Sequence, residues 1–291
     1  MTFCRNLIAY LFFTCLHLSF DVKKTLRYEG EKVEKPVRIT VCQLANDTEA
    51  LLKDWQQLTS HVKAEASDLV LLPEMPFYPW IAKTRQFDPE TWQETVAAHD
   101  NWLTHFGDLS PANIIGTRPI NSAGRRLNEG FVWDSKSGYR AAHAKTYLPD
   151  EEGFWEATWY DRGQVDFKPV DLGKARVGFL ICTELWFMQH ARAYGQQGIH
   201  LLACPRATPR STLDKWLAGG RAAAVVSGAF CLSSSLITLG GPKEMGGPGW
   251  IISPDGDVLA ITSVDRPIVT LEIDLSEAEE AKKTYPRYVL E

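Results

Sequence analysis

Three separate apolar runs in this chain each stop on a chemically reactive side chain, and that pattern constrains the fold more than any other feature. Val177-Gly178-Phe179-Leu180-Ile181 ends on Cys182, Leu69-Val70-Leu71-Leu72-Pro73 ends on Glu74, and Tyr139 to Ala144 ends on Lys145. Short unbroken apolar runs read as strands buried on both faces, the kind found in sheets that helices cover. In such folds the carboxyl ends of parallel strands converge on one crevice. Taken singly, each residue has a plainer reading: a small buried hydrophobe, a loop carboxylate or helix cap, a solvated charge. A thiol, a carboxylate and an ammonium at three strand ends read together as one site. Cys182 opens into Thr183-Glu184-Leu185-Trp186, so helix-end N–H groups are expected to favour negative charge on the thiol.

The rest of the chain alternates between the two periodicities. Arg38 to Gln43 reads as a first strand, and Asn46 or Asp47 can cap a helix to about Glu65 with Leu51, Leu52, Trp55 and Leu58 on one face. Pro89-Glu90 opens another helix reaching Phe106, and Asn113 to Thr117 returns as a strand. Leu127 to Trp133 and Tyr139 to Ala144 flank the turn-rich Asp134-Ser135-Lys136-Ser137-Gly138, which predicts a hairpin. Ala175 to Cys182 is the nucleophile strand, followed by a helix through Gln197. Later strands are expected at Leu201 to Ala203, Phe230 to Ser235, Gly249 to Ile252, Val258 to Thr262 and Val269 to Ile273. Periodicity alone gives an α/β fold with mixed sheet.

Composition removes several function classes. A net charge of −5 without a basic stripe does not suit nucleic acid. The six cysteines (Cys4, Cys15, Cys42, Cys182, Cys204, Cys231) show no paired or metal-ligand spacing, which fits a reducing, cytoplasmic setting and no structural metal. No linker divides the chain, so one large domain over residues 36–275 is expected, preceded by an extension over 1–35 and followed by a tail over 276–291. Leu7 to Phe20 is apolar but too short for a confident membrane span, and no clear cleavage site follows it. It reads as an extra helix or a loose arm; a signal or anchor at residues 5–20 is the alternative.

The segments Leu71-Leu72-Pro73-Glu74, Ala142-His143-Ala144-Lys145 and Gly178-Phe179-Leu180-Ile181-Cys182-Thr183-Glu184 resemble those of the nitrilase, or carbon–nitrogen hydrolase, superfamily. The likeness runs from about Pro36 to Leu275. It includes Phe154 to Gly163, where Glu156 precedes Gly163 by seven residues, as the family's second glutamate precedes a glycine. The resemblance implies a four-layer α-β-β-α sandwich with mixed sheets, at least a homodimer to which the tail could contribute, and no cofactor or metal. It implies Cys182 as nucleophile, Glu74 as general base, Lys145 at the oxyanion and Glu156 orienting Lys145 or water; Glu151 and Glu152 compete for that last role. Glu184 is expected to brace the elbow, and His143 to support it or to be an ordinary strand histidine.

For substrate, the implied class is a small linear amide or N-carbamoyl (ureido) compound. A nitrile is the alternative, although Cys182-Thr183-Glu184 departs from the nitrilase Cys-Trp-Glu. A non-catalytic binding member of the fold is the reading from another class. Relatives acting on N-carbamoyl amino acids place arginines directly after the nucleophile, and here Arg206 or Arg210 would have to serve instead. Tyr78, Trp155 and Trp186 are candidate pocket aromatics, with core packing as their plainer role.

Overall fold

The computed structural model describes residues 36–238 and 244–289; the apolar run Leu7 to Phe20 and the polar stretch after it lie outside them. The described chain begins with β1 (Val37–Ala45), α1 (Thr48–Ala64), β2 (Leu69–Leu71), α2 (Pro89–Trp102), β3 (Asn113–Ser122), β4 (Arg125–Asp134) and β5 (Gly138–Ala144). It continues through α3 (Glu156–Trp159), β6 (Val170–Leu172), β7 (Ala175–Phe179), α4 (Met188–Gln196), β8 (Leu201–Arg206) and α5 (Leu213–Ser227). It closes with β9 (Phe230–Ile237), β10 (Trp250–Ile252), β11 (Val258–Ile261), β12 (Ile268–Ile273) and α6 (Ser276–Ala281). The Asp47 side chain accepts from the Ala50 N–H and so caps α1, and Asp88 does the same for α2, whose first residue is Pro89.

Two sheets share β1. One runs β5-β4-β3-β2-β1, with β12 antiparallel to β1; the other runs β9-β8-β7-β6, with β10 and β11 beyond β9. The end of β1, Gln43 to Ala45, pairs in parallel with β9 and joins them into one nearly closed surface. Strand side chains alternate between faces. Ile39, Val41, Leu69 and Leu71 therefore meet Val177, Phe179, Leu201 and Phe230 in one inner core. Their neighbours Val70 and Leu72 face outward, onto Leu51, Trp55, Leu58 and Val62 of α1. Leu180, Leu202 and Cys204 face α4 and α5 on the other side. Four layers result, and each fully buried Leu or Phe contributes about 1.5–3 kcal/mol to holding them together.

Three differences from the sequence reading have physical causes. The strand leading to Cys182 stops at Phe179, and the chain then turns through a short 3₁₀ helix, Cys182–Trp186, before α4 begins. Helix α5 was not expected, because Gly219-Gly220 interrupts its pattern. A Cβ on Gly219 would sit 2.9 Å from the Trp186 ring, and one on Gly220 3.0 Å from Ile252 and 3.1 Å from Trp250, so these glycines form a contact face. The short β6, pairing antiparallel with β7, carried no pattern either. The C-terminal segment is tied to its own chain: Ala278 joins the inner core, and the Lys282 ammonium donates to the carbonyls of Ile199, Gly228 and Ala278. No helix among the described residues is long and apolar enough to cross a membrane.

Candidate active site

Glu74, Lys145 with Glu156 eleven residues on, and Cys182 come from three distant stretches of sequence and meet at one end of the sandwich, all buried. Lys145 follows β5, and its Nζ donates to Glu74 Oε1 at 2.7 Å and to Glu156 Oε2 at 2.6 Å. Asn128 of β4 donates from Nδ2 to the same Glu74 oxygen at 2.9 Å, while its carbonyl accepts the Lys145 N–H at 2.9 Å. The seven-residue step from Glu156 to Gly163 has a mechanical basis. Gly163 donates its N–H to the Lys145 carbonyl at 2.8 Å, and a Cβ there would lie 2.0 Å from the Ala144 carbonyl oxygen. The segment thus grips Lys145 at both its backbone and its ammonium. Glu151 and Glu152 are exposed by contrast.

Cys182 has φ +48°, a left-handed conformation that strains an L residue by about 1–3 kcal/mol. Glu184 holds that turn. Its carboxylate accepts from the Ile181 N–H at 2.9 Å, the Thr146 N–H at 2.7 Å and His143 Nε2 at 2.9 Å. Glu184 and His143 therefore stitch the turn at Cys182 to Thr146, the residue after Lys145. Met75, next to Glu74, is also left-handed (φ +51°), and its N–H donates to Thr117 Oγ1 at 2.9 Å.

The electrostatics depart from the sequence expectation that helix-end N–H groups favour a thiolate. Burial pushes the Cys182 thiol up, and the Glu74 carboxylate adds to it, against the pull of Lys145 and a hydrogen bond from the Ala207 N–H. Burial opposes charge on Lys145 too, yet Glu156, Glu74 and Cys182 together hold its ammonium well above the ordinary range. Burial raises Glu156 despite Lys145 beside it. At neutral pH the site thus carries a thiol and a firm ammonium. Glu74 Oε2, Glu156 Oε1, Asn128 Oδ1 and the Tyr160 hydroxyl are buried without protein partners. Among the described residues no cluster of His, Cys, Asp or Glu is arranged to hold a metal ion.

A cavity of about 780 Å³ opens onto Cys182, with Thr183, Trp186, Trp216, Phe154 and Thr208 in its wall. Trp186 thus lies where the sequence suggested, but Tyr78, Trp155 and Arg206 are not among the lining residues. The Tyr78 hydroxyl donates to Glu94 at 2.7 Å, and Trp155 sits under the Arg85 guanidinium at 4.7 Å. Arg206 is fully buried over the Trp250 ring at 3.9 Å. It donates to Ser233 Oγ (2.7 Å), Thr208 Oγ1 (2.5 Å) and the Pro248 carbonyl (2.5 Å), which ties the end of β8 to β9 and to the segment before β10. Arg210 does line the cavity. Asn128 and Thr117 were not singled out from the sequence, since a polar residue within a strand reads as ordinary alternation.

The family model described as carbon–nitrogen hydrolase matches residues 38–283. The chain is 26% identical over 269 residues to a chloroplastic omega-amidase of Arabidopsis thaliana, covering 85% of this chain and 70% of that protein. It is 21% identical over 279 residues to an N-carbamoylputrescine amidase of the same plant, covering 88% and 92%. In fold it is similar to the crystal structure of a carbon–nitrogen hydrolase from Helicobacter pylori G27, with a TM-score of 0.75, 20% identity, and 87% and 94% of the two chains covered.

Proposed function

The chain belongs to the carbon–nitrogen hydrolase family, and from that premise we propose that it releases ammonia from a small linear amide or N-carbamoyl compound through a thioester on Cys182. The observation that carries the reading is the buried Glu74–Lys145–Glu156 chain beside a raised thiol, with Glu74 Oε2 free of protein partners. The names of the relatives, an omega-amidase and an N-carbamoylputrescine amidase, support the substrate class.

A raised thiol needs a base, and Glu74 takes its proton as the sulfur attacks the carbonyl carbon. An ammonium has three N–H donors, and Lys145 spends two on Glu74 and Glu156. The third is available to the developing oxyanion, together with the backbone N–H of Thr183. The tetrahedral intermediate collapses, the C–N bond breaks, and Glu74 returns its proton to the leaving nitrogen. Glu74 then removes a proton from water, whose oxygen attacks the thioester. The second intermediate expels the sulfur, which regains the proton from Glu74. Glu156 keeps Lys145 charged and aimed throughout.

Ammonia release from linear amides, N-carbamoyl amines and nitriles, compared with Cys182→Ala, tests this. Turnover of an amide or ureido compound that disappears in Cys182→Ala is the expected result. Turnover of nitriles alone, or ammonia that persists in the variant, refutes the reading.

A further inference from the structure

Resting on the reaction just proposed, we infer that the substrate carries an α-amino-acid head, its carboxylate held by Arg210 and its ammonium by Glu244. Both residues line the cavity that contains Cys182. An isolated antiparallel bridge joins Pro209 to Met245, and Arg210 and Glu244 each adjoin one of these bridged residues, which brings the two segments together at the cavity. Even so, no ion pair joins these two, and among the described residues neither charged group has a hydrogen-bond partner; both are exposed to the cavity mouth.

A guanidinium fork and a carboxylate on the lining of one cavity, each unspent, present a donor and an acceptor to one ligand. An α-amino acid carries the opposite pair, a carboxylate and an ammonium on adjoining atoms. The fit is therefore to a zwitterion, where a lone arginine would select an acid and a lone carboxylate an amine. Glu151, the third charged lining residue, offers a second acceptor for the ammonium. Trp186, Trp216 and Phe154 give the wall of the same cavity an apolar surface, which suits a short methylene chain. The substrate class is thus an α-amino acid whose straight side chain ends in a carboxamide or ureido group. Arg206, at the end of β8, does not serve, because its guanidinium is buried inside the protein and lies off the cavity lining.

Three ureido probes of one length test the assignment: L-citrulline, 5-ureidopentanoate (acid only) and 4-ureidobutylamine (amine only). L-glutamine, 4-carbamoylbutanoate and 4-aminobutanamide form the parallel carboxamide set. With the full chain, kcat/KM for a zwitterion is expected to exceed that for either singly charged partner by about tenfold or more, the range for a charged hydrogen-bonded contact. Arg210→Gln should cut the preference over the amine-only probe about tenfold, and Glu244→Gln the preference over the acid-only probe. Each ratio is taken within one variant, so a general loss of folded enzyme cancels. Singly charged probes that match the zwitterion, or preferences that survive both substitutions, overturn the inference. Cys182-dependent ammonia from uncharged amides but from neither probe set overturns it while leaving the proposed reaction standing. Absence of Cys182-dependent ammonia from every compound refutes the reaction itself and this inference with it.

Discussion

Glu184→Gln separates a bracing role from ordinary packing, because the geometry leaves the amide no good orientation. One carboxylate oxygen accepts the Thr146 N–H and the other the Ile181 N–H. Whichever way a glutamine faces, its NH₂ meets one of these buried N–H groups. That loses one charge-assisted hydrogen bond and leaves a buried donor unsatisfied, a destabilisation of about 3 kcal/mol. The strain at Cys182 then has less to hold it, so the elbow relaxes toward negative φ and the sulfur leaves its position. Stability by urea titration should fall by about 3 kcal/mol, and the thermal midpoint by roughly 6–12 °C for a domain of this size. Ammonia release should fall as well, and alkylation of Cys182 should change its rate. A variant that keeps its stability within about 0.5 kcal/mol and alkylates as the parent does would refute the reasoning.

Glu74→Gln should move two observables in opposite directions: Cys182 alkylates at lower pH, since the carboxylate that helps hold the thiol up is gone, while turnover falls about 10²–10⁴-fold with the base. An unchanged alkylation profile measured with iodoacetamide counts against that electrostatic account. Gly163→Ala drives a Cβ into the Ala144 carbonyl and should destabilise the fold by about 1–3 kcal/mol and depress turnover by separating Glu156 from Lys145; full activity would show that the backbone contact is dispensable. His99 is buried and neutral, bonded from Nδ1 to the Thr95 carbonyl and accepting the Phe77 N–H at Nε2, and burial lowers it to about 3. A folded value below the unfolded one means that stability is complete above about pH 6.5 and is lost as pH falls toward 3. The loss over that window should shrink in His99→Gln, followed by urea titration at several pH values.

What the sequence reveals about this site follows from how far each constraint reaches along the chain. Glu74, Lys145 and Cys182 stand at the ends of apolar runs, and a run and its end are local, so the strands and their reactive termini are legible together. Glu156 was legible for a related reason: Gly163, seven residues on, touches the backbone beside Lys145, and that close approach fixes a spacing readable without coordinates. Asn128 contacts Glu74 across 54 positions, so nothing adjacent to it marks its use, whereas Glu184 stands two residues past Cys182 and its bracing of that turn was legible, with its bonds to His143 across 41 positions left to the fold. Helix α5 hides for a kindred reason. Its Gly219 and Gly220 weaken the local helical signal by about 1 kcal/mol each, and only the rings of Trp186 and Trp250 explain why glycine stands there. The same distinction separates two arginines four residues apart. Arg206 and Arg210 are equivalent as sequence, each a cation just past a buried strand. The internal oxygens of Ser233, Thr208 and Pro248 hold the first, while the second follows the bridge between Pro209 and Met245 and lines the cavity with Glu244. Local pattern therefore marks the candidate reactive residues of this chain, while the surroundings that separate Arg206 from Arg210 arise only from long-range pairings in the folded chain.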